Sequence, residues 1–221
     1  MTTSLTESPL APDYDRSSMT TGIVHIGVGG FHRAHEAAYL DRLMRRRAGS
    51  ASPEGSCLDW GICGVGLLPG DARMRDALEG QDHLYTLILK HPGGLRDPVV
   101  IGSIHDYLFA PDAPEAVLTL MSAPTTRIVS LTVTEGGYNV DDATGEFRTD
   151  SPGAVYDAEH PGEPVTAFGY IVEALRRRRE SGTAPFTVMS CDNLPGNGKV
   201  ARTAVVSQAA MSDPELADWI D

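Results

Sequence analysis

The chain has 221 residues, 41% of them hydrophobic, enough to bury the core of one large α/β domain or of one domain with an appendage. Thirty acidic residues against 18 basic ones give a formal charge of −12, which disfavours general affinity for nucleic acid or an anionic membrane, although one anion pocket can still be locally positive. Cys57, Cys63 and Cys191 are an odd, widely spaced set without a C-x-x-C pair, which suits free thiols in a reducing cytoplasm better than a disulfide framework or a zinc site, and no apolar run approaches the ~20 residues of a membrane span.

Residues 1–20 are rich in Ser, Thr, Pro and Asp and lack a basic start with an apolar centre, so they read as a flexible tail rather than a signal peptide. The stretch Ile23-Val24-His25-Ile26-Gly27-Val28-Gly29-Gly30-Phe31-His32-Arg33-Ala34-His35 then has the layout of a strand, a tight turn and a helix start. Gly27 and Gly29 let the chain reverse and let backbone N–H groups approach phosphate oxygens, and the helix adds partial positive charge. The ligand this favours is a dinucleotide. Phe31, Ala34, Ala37, Ala38, Leu43 and Met44 recur at helical intervals and predict one face packed on a sheet. The third glycine of the usual G-x-G-x-x-G fingerprint is replaced by His32, which holds the helix further from the strand.

Leu58 to Leu67 reads as a second buried strand, with Asp71 just past its end, where such folds place an acid against the adenosine ribose. Pro69-Gly70-Asp71 also fits a turn in which Asp71 caps a helix from Ala72 to Leu78. The Ala/Gly/Ser/Pro-rich run from Ala48 to Ser56 reads as an inserted loop. Leu84 to Leu89 and Pro98 to Ile104, separated by His91-Pro92-Gly93-Gly94, suggest a hairpin-like excursion. Ala113 to Met121 predicts a helix and Arg127 to Thr134 a buried strand. Val165, Phe168, Ile171, Val172 and Leu175 mark one helical face before the four arginines Arg176 to Arg179, which read as a solvated helix end. Phe186 to Ser190 is a short strand that runs into a polar, glycine-containing loop, and Val200 to Met211 is helical. Tyr138 and Asn139 read as turn residues. His25, His32 and His35 have no nearby Cys or acidic ligand besides Glu36, so no metal is expected. The expected fold is a Rossmann-like α/β domain: an open, mostly parallel sheet with helices on both faces, the hairpin excursion, and a ligand crevice where strands end near Gly27, Thr134 and Asn193.

Three segments, Gly27 to His35, Thr134-Glu135-Gly136-Gly137-Tyr138 and Ser190-Cys191-Asp192-Asn193-Leu194-Pro195-Gly196-Asn197-Gly198, resemble in order the polyol-specific long-chain dehydrogenases, the mannitol dehydrogenase family. The resemblance runs from about Ile23 to the last residue. Within the family the run His25 to His35 is closer to the mannitol 2-dehydrogenases than to hexuronate reductases such as fructuronate reductase. The resemblance implies NAD-dependent interconversion of a polyol and a ketose, such as mannitol and fructose, with residues 21–221 as the NAD-binding domain. A hexuronate reductase and a non-catalytic NAD-binding module are the alternatives.

Carried over by position, the resemblance assigns Ile23, Val24, His25, Ile26, Gly27, Val28, Gly29, Gly30, Phe31, His32, Arg33 and Ala34 to the cofactor loop. It makes Asp71 the acid that favours NAD over NADP, adds Thr134 as a cofactor contact, and makes Asn193 an amide donor to the reacting oxygen. The role of Glu135 stays open. Family members also carry a mostly helical C-terminal domain whose K-x4-N-x2-H pattern supplies a lysine general base. Neither lysine here, Lys90 or Lys199, sits in that pattern, and an exposed Lys199 is a poor base without burial. The missing domain is therefore expected as packing partner, and the 221 residues are expected to be inactive alone.

Overall fold

The computed structural model describes residues 11–49, 55, 57–141 and 143–221. Six consecutive residues without a solvated face form β1 (Thr21–Ile26), and such a run is stable only as a central strand covered on both sides. It pairs in parallel with β2 (Gly61–Gly66) on one side and β6 (Ile128–Leu131) on the other. β5 (Ile104–Phe109) and β7 (Thr187–Ser190) extend the sheet, giving the order β5-β2-β1-β6-β7, all parallel. Because side chains alternate across a strand, Val24 and Ile26 enter one core while Ile23 enters the opposite one.

The larger core is closed by α4 (Pro114–Ser122), α7 (Ala167–Ser181) and α8 (Asn197–Ala210), with α9 (Pro214–Ile220) against α8. α7 supplies Phe168, Ile171, Val172 and Leu175 to it. Its start is capped by the Thr166 hydroxyl, which accepts from the Gly169 amide, and its end by Gly182 in the left-handed region. The opposite core lies under α2 (Glu36–Arg47) and α3 (Ala72–Glu79), which contribute Ala37, Ala38 and Leu78. The doubly wound Rossmann-like arrangement and the hairpin excursion, β3 (Tyr85–Lys90) against β4 (Arg96–Ile101), both stand as expected.

Several local expectations give way to packing. The segment beginning at Pro98 does not end at Ile104: β4 stops at Ile101 and the chain turns into β5, a parallel strand that sequence periodicity did not separate. The expected second strand, Leu58 to Leu67, begins as a 3-10 turn over Leu58–Trp60. Residues 1–10 and, of the loop expected from Ala48 to Ser56, residues 50–54 and 56 fall outside the described residues. Residues 11–20, expected as tail, are partly packed: Tyr14 and Met19 are buried against Met44, and the Tyr14 hydroxyl donates to Asp41 at 2.6 Å. The helix after the glycine turn is two helices, α1 (Gly30–Ala34) and α2, broken at His35. Phe31 and Leu43 lie on the outside, 55% and 40% exposed, and His32 takes the inward position instead. Val165 precedes α7 and is 53% exposed.

The four arginines are not one solvated end. Arg176 and Arg177 converge on the buried carboxylate of Glu173, each at 2.7 Å. Arg178 is only 3% exposed, and its guanidinium donates to the carbonyls of Met121, Ala123, Thr126 and Ala184 at 2.7 to 3.1 Å, tying α7 to the chain entering β6. Burial lowers its pKa, yet a guanidinium stays charged at neutral pH, so these bonds are charge-assisted. Arg178→Ala is expected to lower the unfolding free energy by about 3 kcal/mol in urea titration, while Arg202→Ala, which removes an exposed pair with Asp221, costs under ~1 kcal/mol.

Candidate functional site

The carboxyl ends of β1, β2 and β6 meet at one reversal. Gly27 has φ +90°, a conformation that strains any residue with a Cβ, and its position also brings it against the backbone carbonyl of Thr132, where a Cβ has no room. The Gly27 amide donates to Val65 O at 3.1 Å and the Gly29 amide to Gly27 O at 2.7 Å. The Thr132 hydroxyl donates to the same Gly27 carbonyl at 2.5 Å. The turn is thus bonded to the strands on either side of it. A Cβ on Gly30 meets no atom within 4 Å, so the chain leaving the turn borders open space.

The turn itself lines a cavity of about 570 Å³ with mostly apolar walls, within the size range of small-molecule sites. Ile26, Gly27, Val28 and Gly29 form one wall, Leu67, Leu68 and Asp71 a second, and Thr132, Val133 and Thr134 a third. The far side comes from Phe147, Ser151, Ala154 and the start of α7 from Val165 to Phe168, none of which the sequence pattern marked as a site. Asp71 and the glycine turn therefore border the same cavity. Its carboxylate does not cap α3: it reaches back and accepts from the Leu68 amide at 2.9 Å, closing a 3-10 turn over Pro69–Asp71. The second carboxylate oxygen has no hydrogen-bond partner among the described residues and is available to a ligand hydroxyl.

At the ends of β6 and β7 a second set of groups is held by Asp192. Its carboxylate accepts from the amides of Val133 (3.0 Å) and Thr134 (3.2 Å) and from the Tyr138 hydroxyl (2.7 Å), which is also 2.6 Å from Ser190 Oγ. Thr134, at φ +65°, is in the left-handed region, and the two amide bonds hold it there at the start of the short helix α5 (Thr134–Gly137). Tyr138, expected as a turn residue, is buried at the centre of this clamp. Asn193, next to Asp192, is exposed and lines an open recess with Thr134, Glu135 and Gly136. The recess and the cavity share Thr134 and Gly136, so they are adjoining parts of one crevice. Asn197 fastens the loop from below, donating to Ser190 O at 3.1 Å and Asp192 O at 3.3 Å.

Of the other residues of the expected cofactor loop, Ile23, Val24 and His25 are inside the sheet and do not reach the cavity. His32 is buried too, its ring stacked on that of His25 at 3.5 Å with planes 10° apart, and burial followed by the neighbouring His25 pushes its pKa down to about 2. Phe31 points to solvent, and Arg33 and Ala34 are half-buried along α1. His25, His32 and Glu36 do bring ligand-type atoms within 4.8 Å of one another. Two stacked imidazoles, however, direct their lone pairs along parallel planes rather than toward one point, which is the wrong arrangement for shared coordination.

Residues 21–221 match the family model described as the mannitol dehydrogenase Rossmann domain. The mannitol 2-dehydrogenase of Cereibacter sphaeroides is 54% identical over 216 residues, which are 98% of this chain and 43% of that protein. A polyol:NADP oxidoreductase of Gluconobacter oxydans is 47% identical over 220 residues, 99% of this chain and 43% of that one. The solved Pseudomonas fluorescens mannitol 2-dehydrogenase, a ternary complex with NAD and D-mannitol, superposes with a TM-score of 0.88 at 49% identity, covering 95% of this chain and 41% of that structure. The chain thus spans somewhat over two fifths of the length of these relatives.

The Asp192 clamp has a spectroscopic signature. Burial first, and then Asp192, hold the Tyr138 phenol well above its ordinary pKa near 10, although Ser190 opposes the shift. The folded state therefore keeps a proton that the unfolded chain releases: this stabilisation is complete below pH ~10 and is lost as the pH rises beyond it. In an absorbance titration of phenolate formation, Asp192→Asn is expected to move down in pH the one alkaline tyrosine transition that is lost in Tyr138→Phe. An unchanged titration would remove Asp192 from control of Tyr138.

Proposed function

The chain belongs to the mannitol dehydrogenase family, and on that premise we propose that residues 21–221 form the nucleotide-binding domain of an NAD-dependent, cytoplasmic oxidoreductase that interconverts a polyol and a ketose, mannitol and fructose being the leading pair. The observation that carries this reading is that Asp71 and the Gly27–Gly29 turn line one cavity. A turn with a positive-φ glycine and open space beyond Gly30 fits a pyrophosphate. A carboxylate with one free oxygen fits a ribose diol and repels a 2′-phosphate.

In this reading Gly27, Val28 and Gly29 hold the phosphates, Asp71 the adenosine ribose, and Thr134 the edge of the crevice that leads to Asn193. NAD, when bound, supplies the carbon that accepts or donates hydride. The Asn193 amide is an N–H donor at the rim and orients the substrate oxygen, the role in which a fixed dipole acts on developing charge. Ile23, Val24, His25 and His32 act behind the turn rather than on the ligand. The base that takes the hydroxyl proton belongs to the part of the relatives that this chain does not span, which also packs over the crevice. The two lysines present, Lys90 and Lys199, are each exposed and are given no role in proton transfer.

Calorimetric titration of the 221-residue protein with NAD and with NADP tests this. NAD is expected to bind at least about ten-fold more tightly than NADP, a difference of ~1.4 kcal/mol, and Asp71→Ala is expected to narrow that ratio chiefly by weakening NAD. Equal affinity for the two cofactors in the wild-type chain would overturn the role of Asp71, and binding of neither would overturn the cofactor site. The same chain incubated with mannitol and NAD is expected to release no NADH.

A further inference from the structure

His25 has no contact with the cavity, yet it is bonded to the turn that forms one of the cavity's walls. The Gly27 carbonyl can only accept, so the Thr132 hydroxyl commits its single hydrogen there, at 2.5 Å. Its oxygen is 2.9 Å from His25 Nε2 and must accept from it, which places a hydrogen on Nε2. At the other ring nitrogen, Nδ1, two oxygens converge: Ser130 Oγ at 2.7 Å and Glu36 Oε2 at 3.1 Å. These two oxygens are 3.0 Å from each other.

Three polar atoms that are mutually within hydrogen-bonding distance cannot be satisfied by the one hydrogen Ser130 provides. If Ser130 donates to Glu36, the lone pair of a bare Nδ1 faces two oxygens. If Ser130 donates to Nδ1, a bare carboxylate oxygen faces the lone pairs of both neighbours. Either way a second hydrogen is required, on Nδ1 or on Oε2. His32, stacked on His25 with its Nε2 3.4 Å from Glu36 Oε2, does not supply it: burial keeps that ring neutral, and its one N–H makes no hydrogen bond, since neither ring nitrogen has a partner among the described residues. The other charged or titratable groups near this cluster are Arg33, beside His32 on α1, and Cys191, at the end of β7 beside Glu36; burial raises the Cys191 thiol to about 11 and keeps it neutral.

We propose that His25 and Glu36 jointly hold one buried proton and, through the Thr132 hydroxyl, fix the carbonyl of Gly27, which makes both of them positioning residues for the phosphate-facing turn. The chain of bonds runs from Glu36 at the start of α2, through a ring in the middle of the sheet, to the reversal between β1 and α1. It couples the helix to the turn beside His32, which stands where the usual fingerprint has its third glycine. That the turn faces phosphate rests on the function proposed above; the proton and the bond to Gly27 do not.

Proton and nitrogen NMR on the labelled 221-residue protein at neutral pH is expected to show a slowly exchanging hydrogen between His25 and Glu36, far downfield of the amides. It disappears in Glu36→Gln. Amide exchange at Gly29, which donates to the same Gly27 carbonyl, is expected to accelerate in Thr132→Val and in Glu36→Gln and to keep its protection in Thr132→Ser, which retains the hydroxyl. The NAD dissociation constant of the first two variants rises about ten-fold. Absence of the downfield hydrogen in the wild-type protein, or unchanged Gly29 protection in Thr132→Val, would overturn the proposal. Failure of the wild-type chain to bind NAD would instead count against the cofactor reading, and the two NMR measurements would still decide this one.

Discussion

The carboxyl edge of the sheet depends on the close approach of Gly27 to Thr132. β1 has a strand on each side and buried residues throughout, so the chain can leave it only by turning sharply over the end of a neighbour. It turns over β6, with Gly27 at φ +90° and its backbone against that of Thr132, a place without room for a Cβ. The Thr132 hydroxyl closes the contact. Everything beyond follows from that direction of exit: α1 begins next to the cavity, α2 lies over the smaller core, and the Asp71 turn at the end of β2 borders the same cavity as the glycines.

Polar groups inside the sheet do the fastening that apolar packing alone leaves undirected. Hydrophobic burial is insensitive to direction and tolerates small shifts between strands, whereas a hydrogen bond between named atoms does not. Asp192 joins the ends of β6 and β7, Arg178 joins α7 to the chain entering β6, and His25 joins β1 to β6 and α2. Two of these three ties converge on residues 132 to 134, the segment between the cavity and the Asn193 recess. The crevice is therefore held from both sides, by His25 behind the turn and by Asp192 at the edge of the recess.

The parts of the site legible in the sequence are those set by local backbone chemistry. Closely spaced glycines after an apolar run, an acid after the second such run, and an asparagine in a proline- and glycine-containing loop are each statements about a few adjacent residues, and each occupies a strand end as expected. Less legible was anything requiring a partner distant in the chain. Asp71 suited a helix cap equally well until Leu68 claimed its carboxylate, and Tyr138 read as a turn residue although Asp192, 54 residues away, buries it. Apolar periodicity placed Phe31 and Leu43 inward; the break at His35 puts Phe31 on a separate helix with His32 inward, and Leu43 lies off the face of α2 that buries Ala37, Ala38 and Met44. β5 was hidden because two strands separated by Gly102 and Ser103 look like one in an apolar profile.

The sequence by itself determined the doubly wound α/β class, the position of the phosphate-type turn and the order of the motifs along the crevice, because glycine conformational freedom and strand or helix periodicity are properties of neighbouring residues. Only the tertiary structure decided which residues line the crevice and which stand behind it. His25 and His32 carry side chains that could each have served as ligand contacts, and both are buried behind the turn, His25 against Ser130 and Thr132, more than 100 residues away. The physical reason is that hydrogen-bond partners and loss of solvent are set by packing across the sheet, where sequence separation gives no measure of distance.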